Sequence, residues 1–318
     1  MKNRLFLTIL LILSSLGSAC STPAEPPKEV VPTLRMGTVL GRVINPLADA
    51  LNKTLPNHFP ARVEVVRLMG TGSGPQLIEE GSIELTMVQT DAAYTAYTKG
   101  LPDAPGPFRK LRGVAVLYPS PIHLVARENS GILSLKDLRG KRLAIGPGPA
   151  QEAVARAILE GAGLTLADVD AKRLTDEQVP LELREGRLDA SIGRGNDPSP
   201  AIQEIMRVPG ARLIPISRSE VERIRAHYPF WHTAAIPANI YGNTAEIETA
   251  GTDAVMICRE DLPEELVYWV TRTLFESLPE LVRSLPSLRQ VDMEQVHASP
   301  IPLHPGAARF YRERELFQ

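Results

Sequence analysis

The fold class is decided by residues 63–91, VEVVRLMGTGSGPQLIEEGSIELTMVQTD. Val63 to Met69 reads as a strand, and Gly70-Thr71-Gly72-Ser73-Gly74 breaks it into a loop. Pro75 suits the first turn of a helix and Gly81 its end. Ile83-Glu84-Leu85-Thr86-Met87 then alternates apolar and polar as a half-buried strand does. Gln89-Thr90-Asp91, with Asp91 as N-cap, leads into a helix over Ala92–Lys99 that closes at Gly100. Strand, helix and strand joined by such short connections make a βα repeat.

Reading outward, Leu34-Arg35-Met36-Gly37-Thr38 is a first strand. Asn45 and Pro46 serve as N-cap and first-turn proline of a helix with Leu47, Ala50, Leu51 and Leu55 on one face. Three βα units in about seventy residues predict a mostly parallel sheet. The pattern restarts after the Pro-rich turn at 102–107. Val114–Tyr118 and Ile122–Arg127 are expected strands, Ser134–Leu138 a short helix, and Lys141–Gly146 a strand leading through Pro147-Gly148-Pro149-Ala150-Gln151 to a helix over Glu152–Glu160. Thr175-Asp176-Glu177-Gln178 has capping-box spacing, Leu188–Ile192 is a strand, Ser199-Pro200 opens a helix, and Arg212–Ile216 is another strand. Ile236–Tyr241 and Val255–Cys258 return towards the first sheet. A helix over about Pro263–Leu278 presents Leu266, Val267, Val270, Thr271 and Leu274 on one face. No repeat or low-complexity segment is visible beyond residue 33.

A chain that leaves one α/β lobe, builds another and returns crosses twice, which makes a hinge above a cleft. The expected organisation is a signal peptide over 1–19, a tether over 20–33, one lobe from 34–121 plus 237–318, and a second from 122–236. Lys2 and Arg4, the apolar run Leu5–Leu13 and the small residues up to Ala19-Cys20 have the layout of a secretory leader. The run is too short to span a bilayer. Leu16-Gly17-Ser18-Ala19 before Cys20 is similar to a bacterial lipobox, with the leucine one position early; the alternative is simple cleavage after Ala19, leaving an exposed thiol. The lipobox reading makes Cys20 the lipidation site and places the protein in the periplasm as a membrane-anchored lipoprotein, its acyl chains in the bilayer. Cys258, in the apolar run Ala254-Val255-Met256-Ile257-Cys258, is expected as a buried thiol without a disulfide.

The whole chain carries 35 basic and 37 acidic side chains, and removal of residues 1–19 takes away Lys2 and Arg4 and no acids. The acidic balance excludes nucleic acid as the expected partner. Ligands of open α/β sheets bind outside the carboxyl ends of the strands. That rule gathers loops 38–45, 70–75, 89–91, 146–151 and 193–199 around one cleft. Helix N-termini there suit a carboxylate or another anion, and closure of two lobes buries what both contact.

Several stretches resemble one family. They are Leu111–Tyr118 with Ile122-His123-Leu124-Val125, Ser130-Gly131-Ile132 through Asp137-Leu138-Arg139-Gly140-Lys141-Arg142, Ala155–Leu164 and Gly186-Arg187-Leu188-Asp189-Ala190. Pro302-Leu303-His304-Pro305-Gly306-Ala307 with Phe310-Tyr311-Arg312-Glu313 is the most specific. Together they resemble the TAXI-type solute receptors of TRAP transporters. The resemblance implies a type II periplasmic-binding-protein fold, a small organic anion or amino acid as ligand, and TRAP membrane permease subunits as partners. It departs from the family in two loops, Gly37–Pro46 and Gly146–Gln151, where the hydroxyl donors usual in the family are missing, and Arg42 has entered the first.

The site residues expected are Thr38, Arg42, Ser73, Gln76, Gln89, Gln151, Arg194 and Tyr241. Arg42 offers a bidentate carboxylate clamp or is a solvated arginine on a helix approach. Ser73 and Gln76 match a Ser…Asn pair of the family and either touch ligand or cap a helix. Gln89 stands at a strand's carboxyl end. Gln151 and Arg194 come from the other lobe. Tyr241 matches a family tyrosine and either meets the ligand or packs in the core.

No catalytic machinery is read. Gly70–Gly74 lacks nucleophile-elbow spacing, the glycine loops lack a P-loop lysine, and no cysteine–histidine cluster suits a metal. No cofactor or metal is expected. Two further readings stay open: the same binding module serving an ABC permease or a membrane sensor, and an enzyme such as a lyase on the same fold, which would need Asp91 or Asp197 in the cleft.

Overall fold

The computed structural model describes residues 32–39, 43–68 and 73–316. The leader, Cys20 and Arg42 lie outside them. The first lobe opens with β1 (Thr33–Thr38), α1 (Ile44–Thr54), β2 (Arg62–Arg67), α2 (Gly74–Glu79), β3 (Leu85–Gln89) and α3 (Thr90–Lys99). A two-residue pair, β4 (Gly100–Leu101) and β5 (Ala104–Pro105), forms the turn before the long β6 (Leu111–Arg127). The second lobe follows with β7 (Arg142–Ile145), α4 (Pro149–Gly161), β8 (Asp170–Arg173), α5 (Val179–Arg184), β9 (Ala190–Arg194), α6 (Pro200–Met206), β10 (Ala211–Ile214), α7 (Arg218–Arg225) and β11 (His232–Ile236). The chain returns through β12 (Ile247–Arg259), α8 (Glu264–Glu276), α9 (Leu278–Ser284) and α10 (Pro305–Glu313).

The strands run β2-β1-β3-β12-β6-β9-β7-β8, with β10 on β6 and β11 on β12. In each lobe three strands are parallel, β2-β1-β3 and β8-β7-β9, and the strands that close the sheet are antiparallel. The fold is the expected α/β architecture of two lobes, each a mostly parallel sheet flanked by helices. Two strands serve both halves. Leu111–Pro121 of β6 pairs with β12, and Ile122–Arg127 pairs with β9 and β10. Likewise β12 begins on β11 and ends between β3 and β6.

Helices cover both faces, so the central strands are apolar almost throughout, as buried sheets require. In the first lobe Leu34, Met36, Leu47, Leu51 and Leu274 fill one face and Ile78, Ile83, Val88 and Val255 the other. In the second, Leu143, Ile158, Ile224 and Trp231 pack on one side and Leu183, Leu188, Ile202 and Tyr241 on the other. Cys258 is fully buried with a free thiol, and burial pushes its ionisation up.

Several sequence expectations are corrected. The two strands expected at 114–127 are one: Pro119 lies beside a register irregularity between Asp253 and Val255 of β12, and Pro121 stands where β6 passes from β12 to β9. The strand expected over Ile236–Tyr241 ends at Ile236. Pro237 follows, and the Asn243 amide bonds the Pro237 and Ala245 carbonyls, which folds the segment into a loop. Helix α1 starts at Ile44 with Val43 as N-cap, so Asn45 lies inside it. Helix α3 starts one residue before Asp91, with Gln89 as its N-cap.

Glu84 does not alternate outward. It is 4 % exposed and takes Arg35 Nε on Oε2 at 3.0 Å, Arg35 Nη2 on Oε1 at 2.5 Å and Arg259 Nη1 on Oε1 at 3.1 Å. The same clamp recurs in the second lobe, where Asp189 takes Arg142 Nε and Nη2 at 2.9 and 2.6 Å and Arg127 Nη2 at 3.4 Å. In both lobes the acid immediately precedes the third parallel strand, and the first arginine stands on the central one. The lobes therefore repeat in structure although no repeat is visible in the sequence.

Candidate functional site

A cleft of about 390 Å³ opens where the carboxyl ends of the strands from both lobes meet. Thr38 at the end of β1 and Gln89 at the end of β3 line it from the first lobe; Gln151 in the first turn of α4 and Arg194 at the end of β9 line it from the second. Tyr118 and Ser120 of β6 and Ala254 of β12 line it from the strands that cross between lobes. The remaining wall is largely aliphatic, with Val39, Ile44, Leu68, Val88, Val154 and Ile192. A mixed lining of this kind holds an apolar body and orients a few polar groups.

The turn into α4 depends on glycine twice. Gly148, its N-cap, has φ +95°, a conformation that costs glycine nothing. A Cβ on Gly146 would stand 2.8 Å from Gln151 Cγ, so its absence lets the Gln151 side chain fold over the strand end.

Of the expected residues, the structure brings Thr38, Gln89, Gln151 and Arg194 together on the cleft wall. Arg42 lies outside the described residues. Ser73 precedes α2 as its N-cap residue and Gln76 donates to Glu80 at 2.7 Å along that helix; neither is on the cleft wall. Tyr241 is 7 % exposed and packs in the second lobe's core behind the cleft.

Arg194 does not stand alone. Its Nη1 donates to Asp91 Oδ2 at 2.8 Å and to Thr252 Oγ1 at 3.5 Å, and Thr252 donates to Gln89 Oε1 at 3.4 Å. This chain of bonds links α3 and β3 of one lobe to β9 of the other. On the cleft rim Asp176 touches solvent, yet the surrounding protein raises its carboxyl, with the neighbouring Glu177 adding to the effect.

Sequence reasoning missed the group that supports the β9 loop. His123 Nε2 meets Asp197 Oδ1 at 2.8 Å, with side chains 0 % and 2 % exposed. Tyr241 Oη donates to the same Oδ1 at 2.8 Å and accepts the Ser199 N–H at 2.6 Å. A carboxylate only accepts, so the histidine proton sits on Nε2. A polar His123 inside the apolar run Ile122-His123-Leu124-Val125 was the one signal, and it names no partner. Asp197 and Asp91 are thus both held in pairs, and neither lines the cleft. Among the described residues no group of three or more His, Cys, Asp or Glu could hold a metal, and no helix is long and apolar enough to cross a membrane.

The profile of the NMT1-like family matches residues 36–314. Among solved structures, XAC2383 from Xanthomonas citri bound to ATP is similar over 88 % of this chain and 94 % of its own, with 13 % identity and a TM-score of 0.56. The periplasmic aliphatic sulphonate binding protein SsuA from Escherichia coli covers 90 % and 94 %, with 17 % identity and a TM-score of 0.50. A putative sulfonate ABC transporter's periplasmic sulfonate-binding protein from Methylobacillus flagellatus covers 79 % and 69 %, with 17 % identity and a TM-score of 0.51. At such identities the likeness is one of fold.

Proposed function

The chain belongs to the NMT1-like family, and from that premise we propose that it is a periplasmic solute-binding protein that captures a small ligand between its lobes and hands it to a membrane permease. The observation that carries the proposal is the cleft itself, where Thr38 and Gln89 of one lobe face Gln151 and Arg194 of the other. A ligand touching both walls favours the closed arrangement by its differential affinity. Arg194 supplies a cation beside an aliphatic wall, which suits a small carboxylate or sulfonate with an apolar portion. We assign the lobes to 34–121 plus 237–318 and to 122–236, and the anchor to a lipidated Cys20. Tyr241 acts from behind the wall, and Ser73 and Gln76 from the helix beneath it.

The partner we favour is an ABC permease. The structural relatives from Escherichia coli and Methylobacillus flagellatus support it, being a periplasmic sulphonate-binding protein and a putative sulfonate ABC transporter component. The TRAP reading is second, carried by the TAXI-like stretches at 111–118 and 302–313; a fused TRAP membrane subunit encoded next to this chain would favour it. We propose binding rather than turnover, because the two acids that a lyase would recruit are committed to Arg194 and to His123 with Tyr241.

The test is a thermal-shift screen of the purified protein against sulfonates, carboxylates and amino acids. A ligand at a hundred times its Kd adds about 2.7 kcal/mol, and a domain of this class gains about 2–4 °C per kcal/mol. One chemical class is expected to raise Tm by about 5–10 °C, and Arg194→Ala to abolish the rise. A flat response across all three classes would sink the proposal.

A further inference from the structure

Beside the crossing strands, the two lobes also touch through side chains on one face of α3. Asp91, in the first turn of that helix, pairs with Arg194 of β9, and the two side chains are 15 % and 14 % exposed. Tyr94 lies three residues further on the same face. Its ring meets Phe230 of the second lobe, with centroids 5.3 Å apart. The pairing of Asp91 is one-sided: Oδ2 accepts from Arg194, while the buried Oδ1 has no hydrogen-bond partner among the described residues. Arg194 is therefore its counter-charge.

Arg194 is also one of the residues that line the cleft. Its hydrogen bonds among the described residues leave through Nη1 alone, to Asp91 and Thr252. A guanidinium carries five N–H donors in a rigid planar fork, so the edge formed by Nε and Nη2, which bonds no described residue, suits a two-point contact with a carboxylate or sulfonate.

We propose that Asp91 is a positioning residue for ligand capture: from the opposite lobe it grips Arg194 by Nη1, holding the lobes together before ligand arrives and presenting the other edge of the fork to the cleft. The positioning half rests on the reading of the cleft as a ligand site; the interlobe latch does not. If a fraction of the ligand-free protein is already closed, apparent affinity rises in proportion to that fraction. The anion then meets a donor pair whose orientation has been set, which lowers the ordering cost of binding.

The experiment measures lobe separation and binding independently. Spin labels are placed on the full chain at Lys53→Cys in the first lobe and Lys172→Cys in the second, both exposed positions, with Cys20→Ser to leave only the buried Cys258. Distances are read by pulsed electron resonance without ligand. The unsubstituted pair is expected to give a predominantly short distance, and Asp91→Asn to lower the closed-to-open ratio about tenfold. The exchange Asp91→Arg with Arg194→Asp is expected to restore the short distance, since the pair is rebuilt with its charges reversed. Thermal unfolding of each variant confirms that it is folded.

Calorimetry with ethanesulfonate and acetate as probes reads the second half. Asp91→Asn is expected to weaken the better probe about two- to fivefold, as the closed fraction falls, and the exchanged pair to lose it. An Asp91→Asn distance distribution like that of the parent overturns the latch. A changed distribution with unchanged probe affinity overturns the positioning role. If neither probe binds the parent protein while the distances respond as stated, the latch stands and the anion-receptor reading fails.

Discussion

Substituting Tyr241 by Phe tests whether the buried group behind the β9 loop holds the cleft wall. The ring stays, with its edge-on contact to His123 at 5.3 Å, and only the hydroxyl goes. That hydroxyl donates to Asp197 Oδ1 at 2.8 Å and accepts the Ser199 N–H at 2.6 Å. A hydrogen bond to a charged group contributes about 1.5–3 kcal/mol, and a buried donor left unpaired costs about 1–3 kcal/mol. The two overlap, because the loop relaxes once for both, so the expected loss is about 3 kcal/mol. With a domain of this size losing about 2–4 °C per kcal/mol, Tm should fall by about 6–12 °C. Scanning calorimetry of the ligand-free protein measures it. Because Arg194 at the end of β9 and Asn196 in the loop after it line the cleft, the Tm rise produced by ligand should shrink as well. A Tm within about 2 °C of the parent would refute the reasoning, since the hydroxyl would then have no net role in holding residues 197–199.

Two further outcomes concern pH. Arg142 beside Asp189, with Arg127, holds that carboxyl down at about 2 against the burial that opposes it. A depressed acid stabilises above its unfolded pKa and loses that contribution as pH falls, so the window is about pH 4 down to 2. After discounting for the part of the clamp that reaches solvent, Asp189→Asn should cost about 1–2 kcal/mol at pH 7, and the deficit should fade in denaturant melts at pH 2–3; a deficit equal at both pH values would contradict this. His232 is the opposite case. Burial disfavours its charged form, but the hydrogen bond and charge of Asp253, 3.0 Å away, and the Thr233 carbonyl outweigh it and raise the imidazole. A raised base stabilises fully below its unfolded pKa of about 6.5 and loses the contribution as pH climbs through the higher folded value. The Tm advantage over His232→Gln should therefore be present at pH 6 and diminish towards pH 8, and a pH-independent difference would rule the pair out as its source.

The βα order was legible because periodicity and glycine or proline punctuation are local. Residues 63–91 show it, and so does the placement of Thr38, Gln89, Gln151 and Arg194 at one cleft, which follows from topology alone. What stayed hidden is pairing at long range. Glu84 looked solvent-facing because its partner Arg35 is 49 residues away; Asp91 looked like a helix cap because Arg194 is 103 away; Asp197 looked like a loop acid because His123 is 74 away. Burial on both faces also erases alternation, and β6 read as two strands because Pro119 and Pro121 stand at a register shift and at the change of partner from β12 to β9, neither of which is local.

The recurring clamp explains why the cleft forms where it does. In each lobe an arginine on the central parallel strand takes both oxygens of an acid standing just before the third strand, Arg35 with Glu84 and Arg142 with Asp189. Each also donates its own backbone N–H to that acid, at 2.7 and 2.9 Å. A one-residue slip would break three bonds and turn every side chain of the strand to the wrong face. The amino-terminal ends of the strands are thereby pinned in the same register in both lobes, and their carboxyl ends, β1 with β3 and β7 with β9, are left to carry loops. The residues that aim the two walls recur between the lobes, while those that line them, Thr38 and Gln89 against Gln151 and Arg194, do not, so that one cleft offers its ligand two chemically different sides.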